Sequence, residues 1–368
     1  MTTNELFLKL LRYVSITPKD DGAFVFIKEY LGDFEAIEIE IENTKNLFLY
    51  KHFGKGIHLC FAGHIDVVPA GHGWDTPPFE PVIKEGVVYA RGAQDMKSGV
   101  CAFLQACKET TSFNGTLSVL LTSDEEGDAK YGTREMLKEL QKRHFLPDFA
   151  IVAEPTCEVV FGDAIKIGRR GSINGVLEIL GKSGHAAYPE KAQNPVHLIA
   201  PILDKLAGYC LDEGDESFAP SQMVITDIRG GLEVTNVTPG ELKIMFNVRN
   251  STKTDLEAIK RYIESVMGMM AYRLSLTQSA HSFVTAHDSR VVVALQHSIK
   301  AIVGMNAKLS TAGGTSDARF FGEFGVPTVE FGVVNDTIHA PNECCPLASV
   351  EDLVKIFINV INTMKEEK

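Results

Sequence analysis

Three acids in a row, Asp124-Glu125-Glu126, follow the β-branched and leucine-rich run Ser118-Val-Leu-Leu-Thr-Ser and precede Gly127. Such a run reads as a buried strand that delivers carboxylates to its carboxyl end, where open α/β sheets place their chemistry. Neighbouring desolvated carboxylates repel, so Glu125 and Glu126 tolerate burial together only beside compensating positive charge, most simply a metal ion. One of them can then ligate while the other moves protons. Alone, the acids would read as a solvated turn. Three further segments raise them above that. Gly63-His64-Ile65-Asp66 closes a second apolar run, Asp95-Met96 precedes a helical pattern, and Glu154-Pro155 closes a third run. His339 ends the segment Asn335-Asp-Thr-Ile-His339.

Imidazole and carboxylate donors without thiolate suit zinc, cobalt or manganese rather than a structural cysteine site. Charge favours two ions over one, because the three carboxylates of Asp95, Glu126 and Glu154 overload a single divalent ion. His64 and Asp66, two apart on a strand, point to one side and would crowd one ion. Asp66 is therefore expected to accept the hydrogen bond that fixes the His64 tautomer. Glu125 is then the spare acid, which takes a proton from the attacking water and returns it to a leaving amine.

The elements that must position these groups follow from periodicity. Residues 4–14 predict an amphipathic helix capped by Thr3 or Asn4, and a weaker helix spans 22–31. Strands are expected at 37–41, 57–62, 116–122 and 149–153, with helices at 100–109 and 132–143; Gly and Pro between 71 and 92 predict ordered loop with a short hairpin. Strand and helix in alternation imply a mostly parallel, mixed sheet flanked by helices, an α/β fold. After Arg169-Arg170-Gly171 the rhythm changes to strand 172–180, helix 194–210, strands 221–229 and 241–249, helix 254–270 and a short strand about Leu274 and Leu276. That order matches the ferredoxin-like split unit, an inserted α+β domain at 171–281. The first pattern resumes with helix 289–303, strand 326–331 and helix 350–364, so residues 1–170 and 282–368 make one discontinuous domain ending in a frayed Lys365–Lys368 tail.

The motifs resemble, in order and over nearly the whole chain, the aminoacylase and carboxypeptidase superfamily of dinuclear zinc hydrolases. They are Gly63-His-Ile-Asp-Val-Val-Pro69, Arg91-Gly-Ala-Gln-Asp-Met-Lys-Ser-Gly99, Ser123-Asp-Glu-Glu-Gly127, Glu154-Pro155, Arg169-Arg-Gly-Ser172, Gly184-His-Ala-Ala-Tyr-Pro189, Gly314-Thr-Ser-Asp-Ala-Arg319 and Asn335–His339. Each motif is weak singly, and the ordered set is specific. The resemblance implies that Asp95 bridges two ions, that His64 and Glu154 complete one site and Glu126 and His339 the other, and that Glu125 is the acid/base. It further implies a zinc-peptidase-like catalytic domain, a dimerising inserted domain, and His185 reaching the partner subunit's active site to stabilise an oxyanion. Arg169, Ser172, Tyr188, Asn236, Arg249, Gly314, Thr315 and Asn335 match positions that hold substrate carboxylates.

Within the superfamily the motifs are most similar to the bacterial desuccinylases. The implied activity is removal of succinate from N-succinyl-LL-2,6-diaminopimelate in lysine and diaminopimelate biosynthesis, by a homodimer with two divalent ions per subunit, zinc or else cobalt. Deacetylation of acetylornithine and cleavage of short peptides are the rival activities. A metal-holding scaffold without catalysis is the rival from another class, and it would be marked by an inert residue where Glu125 stands. Gln94 and Ser98 depart from the smaller residues expected beside Asp95, and the segment after His339 is longer than usual.

Composition sets the remaining bounds. A chain of 368 residues with 45% hydrophobic content is long enough for two domains. A net charge of -12 supplies no basic excess for binding nucleic acid. Neither a leader nor a membrane-spanning run stands out, so a cytoplasmic protein is expected. Seven cysteines, of which only Cys344 and Cys345 are close in sequence, form neither a disulfide framework nor a paired zinc motif. His52, His58, His72, His144, His197, His281, His287 and His297 lack acidic partner motifs and are expected to be surface or satisfied core residues. Trp74 is expected to pack in its loop, and Gly313-Gly314 lacks the context of a phosphate loop.

Overall fold

The structure is a computed structural model describing residues 1–365; from residue 366 on, the expected frayed tail lies outside the described residues. The chain divides into two compact units, residues 1–168 with 284–368, and residues 169–283. The first is built on an eight-stranded sheet in the spatial order Glu35–Ile41, Thr44–His52, Gly115–Thr122, Ile57–His64, Phe149–Val152, Thr328–Glu330, Ala164–Lys166, Lys308–Ser310. The run from Gly115–Thr122 to Thr328–Glu330 is parallel, whereas the two strands beyond Gly115–Thr122 pair antiparallel. Segments from both ends of the sequence thus share one sheet.

Burial explains the composition of these strands. Every residue of Gly115–Thr122 is buried, which is why it reads as a continuous apolar run rather than an alternating one. Leu47, Leu49, Phe61, Val119 and Leu121 join a core with residues of the helices Thr3–Leu11, Lys97–Glu109, Arg290–Val303 and Leu347–Lys365. The first helix is capped by Thr2 rather than Thr3 or Asn4. Its hydroxyl accepts from the Glu5 amide while the Glu5 carboxylate accepts from the Thr2 amide, a reciprocal box that fixes the helix start one residue earlier. The strand Thr44–His52 was not expected, because buried Thr44 and Asn46 and half-buried Lys45 and Lys51 break both the alternation and the continuous apolar run that would mark it.

The second unit is a four-stranded antiparallel sheet in the order Met223–Gly230, Glu241–Val248, Ser172–Leu180, Tyr272–Ala280. That is the strand order of the ferredoxin-like split unit. The helix Leu256–Met267, capped by Asp255, buries Ile259 and Ile263 against Ile173, Leu177 and Ile244. Two expectations need correction. The last strand is nine residues long, alternating between faces, rather than a short piece about Leu274. The helix expected at 194–210 is a five-residue helix, Pro195–Ile199, followed by a 3-10 segment, Ala200–Lys205. Pro201 lacks the amide that would continue the α-helical ladder.

Candidate metal centre

The parallel strands point their carboxyl ends the same way, and three of those ends deliver groups to the centre. The register pairs His64 with Thr122 and Ala62 with Val152, so His64, the acids after Thr122 and the Glu154 segment leave the sheet side by side. Ser15 secures the segment after His64 by donating its hydroxyl to the Ile65 carbonyl and accepting the Val67 amide at its own carbonyl. Asp95 sits on the turn that opens the helix Lys97–Glu109, and its peptide bond to Met96 is cis. His339 occupies a turn at φ 59°, a left-handed conformation that histidine adopts more readily than bulkier or branched residues.

The five expected ligands converge. His64 Nε2 lies 3.1 Å from Asp95 Oδ1 and 3.7 Å from Glu154 Oε1. His339 Nε2 lies 3.4 Å from Asp95 Oδ2 and 3.0 Å from both Glu126 oxygens. Asp95 therefore stands between two groups, His64 with Glu154 and His339 with Glu126. Glu125 reaches 3.9 Å from His64 Nε2. One donor atom each from His64, Asp95 and Glu126 lies within a mutual 4.8 Å, as does one each from His64, Glu125 and Glu154.

The donor set fits a divalent cation. His64 Nδ1 lies 2.8 Å from the Asp66 main-chain carbonyl and donates its proton there. The Nε2 lone pair of the neutral ring faces only carboxylate oxygens, so the contact needs a cation between them, either a proton or a metal ion. Asp66 fixes the tautomer through its carbonyl rather than through the expected carboxylate, which lies 3.6 Å away. The carboxylate instead accepts the amides of Glu125 and Glu126 at 3.4 and 3.1 Å, tying the acidic turn to the histidine.

Electrostatics separate the acids. Burial pushes Glu125 well above the usual carboxylate range, and the charges of Asp317, Asp95 and Glu126 add to it against the pull of His64. Burial and the Asp95 charge do the same to Glu154. Burial also works against Asp95, but the hydrogen bonds from His339 and His64 outweigh it and hold Asp95 low. The bonds to Asp95 and Glu126 hold the His339 imidazolium up to about 10. Asp124 does other work, accepting the amides of Lys130 and Tyr131 to close the acidic loop.

The expected substrate residues divide between the units. Gly314 and Thr315 lie on the loop before the helix Ala318–Glu323, held by Ser316 donating to Glu330 and by Thr133 donating to Asp317. Asn335 donates its amide to the Cys157 carbonyl. In the second unit the two-residue ladder Gly184–His185 with Val237–Thr238 sets His185 beside Asn236, whose carbonyl accepts the Ala186 amide. The Tyr188 ring lies 5.8 Å from that of His185. Ser172 and Arg249 share one end of the sheet, where Ile173 pairs with Val248, and Asn247 donates to the Ser172 hydroxyl. Arg169 and Ser172 are buried, whereas Tyr188, Asn236 and Arg249 are exposed.

Two groups had gone unassigned. Glu343 is fully buried and accepts the amides of Gly92, Gln94 and Asp95 together with Arg91 Nη1. An acid four residues after a candidate histidine ligand was the available signal. Gln94 has a task as well: its side chain donates to Asp336 and accepts the Thr337 amide, holding the turn before His339. Trp74 packs in its loop, donating to Ala70 with the Arg91 guanidinium over its ring. Cys344 and Cys345 belong to a short strand, Cys344–Pro346, paired with Val87–Tyr89 of the hairpin.

Comparison with known proteins identifies the family. The model of peptidase family M20/M25/M40 matches residues 60–363. A protein of Nitratiruptor sp. described as succinyl-diaminopimelate desuccinylase is 61% identical over 99% of this chain and 100% of its own length. Among solved structures, the aminopeptidase PepT from Bacillus cereus superposes with a TM-score of 0.78 at 19% identity, covering 99% of this chain and 98% of that one. The Bacillus subtilis YXEP protein, described as a dinuclear metal binding peptidase, does so with a TM-score of 0.71 at 12% identity, covering 99% and 98%. The chain belongs to peptidase family M20/M25/M40.

Proposed function

We propose that the protein hydrolyses the amide of N-succinyl-LL-2,6-diaminopimelate, releasing succinate and the free amine, in lysine and diaminopimelate biosynthesis. The reaction type rests on one observation, the placement of Asp95 between His64 with Glu154 and His339 with Glu126, with the Glu125 carboxyl beside them. The substrate rests on the full-length likeness to relatives described as acting on it. Two divalent ions, zinc or else cobalt, would be held by His64, Asp95 and Glu154 and by Asp95, Glu126 and His339. When bound, such ions acidify water and polarise the amide carbonyl.

The chain's own residues do the rest. Glu125, raised by burial, has the proton affinity to take a proton from the attacking water and to return it to the departing nitrogen as the C–N bond breaks. Asp66 holds the His64 ring so that Nε2, not Nδ1, faces the centre. His185 is assigned to donate a hydrogen bond to the oxyanion in the partner subunit's site, in a homodimer formed through the second unit. Arg169, Ser172, Tyr188, Asn236, Arg249, Gly314, Thr315 and Asn335 are assigned to the substrate's carboxylates. We place the enzyme in the cytoplasm, since no helix among the described residues is long and apolar enough to cross a membrane and the substrate is biosynthetic. Steady-state kinetics on the succinylated diamine and on acetylornithine, side by side, test the assignment: equal or better turnover of acetylornithine overturns it.

A further inference from the structure

We propose that the buried pair Arg91–Glu343 is a positioning device that holds the Asp95 turn and the His339 turn at a fixed separation, so that both groups of ligands keep their spacing. The inference rests on the reading of the cluster as metal-holding. Both residues lie outside that cluster, and neither has a ligand atom in it.

The small sheet creates the arrangement. Cys344 pairs with Tyr89, and the Ala90 amide donates to the Glu343 carbonyl, which brings the Glu343 side chain under residues 91–95. Its Oε1 accepts the amides of Gln94 and Asp95 at 2.8 and 3.0 Å. Its Oε2 accepts the Gly92 amide at 2.9 Å and Arg91 Nη1 at 2.8 Å. Three amides of one turn are thus organised about a single carboxylate. Arg91 carries the link onward: Nη1 also donates to the Ala340 carbonyl at 3.3 Å, and Nη2 to the carbonyls of His339 at 3.3 Å and Ala70 at 3.2 Å.

Charges this deeply buried, 0% exposed for Glu343 and 1% for Arg91, are costly unless every lone pair and proton is used. Here the carboxylate takes four donors and the two terminal guanidinium nitrogens reach carbonyls, while Arg91 Nε is left without a partner, so what the pair gains is geometry. The two sides of the centre depend on it unequally. His64 is held by its strand and by the Asp66 carbonyl, contacts that involve neither partner. His339 sits on a turn whose main chain is bound by the guanidinium.

Two variants separate these dependences. Arg91→Lys keeps a positive charge beside Glu343 but loses the planar fork that reaches several carbonyls at once, so it loosens His339 and spares His64. Glu343→Gln turns an NH2 group toward N–H donors and releases Asp95, which both ion sites share. The probe is Co2+ alone, titrated into metal-free enzyme and followed by visible absorption and calorimetry. The unmodified chain is expected to take up two ions in two resolved steps. In Arg91→Lys one step weakens about 10- to 100-fold while the other stays within about threefold; in Glu343→Gln both weaken. Leu353→Ala, a core deletion in the helix Leu347–Lys365, controls for general loosening and is expected to leave both steps unchanged.

Two Co2+ ions bound with unaltered constants by Arg91→Lys would overturn the inference. So would equal weakening of both steps in Arg91→Lys and in Leu353→Ala. Should Glu343→Gln fail to fold, Arg91→Lys carries the test. An unmodified chain that takes up no stoichiometric Co2+ overturns the metal reading itself, a result distinct from either.

Discussion

Glu125 and Glu126 are adjacent in sequence and differ in partner. Glu126 meets His339 at 3.0 Å, whereas Glu125 stands 3.9 Å from His64 in a partly buried position whose desolvation raises its proton affinity. Replacing Glu125 by Ala should retain the metal content per chain and lower kcat by about 10²- to 10⁴-fold, the usual worth of a positioned acid/base. Metal analysis alongside kinetics checks it, and activity that survives would remove Glu125 from its role. His58 supplies a pH dependence away from the site. It is buried and bonded to the Ser118 hydroxyl, and burial lowers it from 6.5 to about 4. The folded chain therefore binds this proton later than the unfolded chain as pH falls. Its contribution is complete above pH 6.5 and is lost on the way down to about pH 4, an effect of roughly 3 kcal/mol. Urea midpoints across that window should fall less steeply in His58→Gln than in the unmodified chain. Like His52, which bonds Thr116, His58 is a satisfied histidine of the sheet, as its lack of an acidic motif suggested.

At the scale of elements, the start of the helix Lys97–Glu109 governs where Asp95 lies. Gly99 lets this helix approach the end of the strand Phe149–Val152 closely: a Cβ at Gly99 would sit 2.1 Å from the Ala153 carbonyl oxygen, which is main chain and cannot rotate away. Gly99→Ala should therefore cost about 1–3 kcal/mol by overpacking. It should also push Asp95 away from Glu154, so metal affinity falls together with the urea midpoint. Unchanged affinity would mean that the turn absorbs the shift before it reaches Asp95. Periodicity revealed the helices with one buried face, and continuous apolar runs revealed the central strands Ile57–His64 and Gly115–Thr122. Both signals missed Thr44–His52, which Thr44, Lys45, Asn46 and Lys51 interrupt, and the three-residue strands Ala164–Lys166 and Lys308–Ser310, too short to show a period. Periodicity also ran one helix through Pro201, where the chain changes to a 3-10 turn.

For the whole molecule, ions that bind only the folded chain stabilise it by mass action, roughly 3 kcal/mol at a free concentration about a hundredfold above Kd. Removing them with a chelator should abolish turnover and lower the thermal midpoint, and added zinc should restore both; turnover that persists in chelator would refute the proposed chemistry. Sedimentation should give twice the 40.4 kDa chain mass. A monomer that retains full activity would leave no role for His185 across subunits.

The sequence by itself nominated the groups of the proposed centre. Histidines and acids that end apolar runs announce their position, because a parallel sheet gathers its strand ends on one side. The α/β sheet and the inserted split unit were legible for the same reason, since each depends on local periodicity. Only the tertiary structure decided the pairing of Asp95 with both histidines, the use of the Asp66 carbonyl rather than its carboxylate, and the burial of Glu343 beneath the Asp95 turn. Those contacts join residues as many as 248 positions apart. Their partners are chosen by packing in three dimensions, and no spacing along the chain encodes that choice.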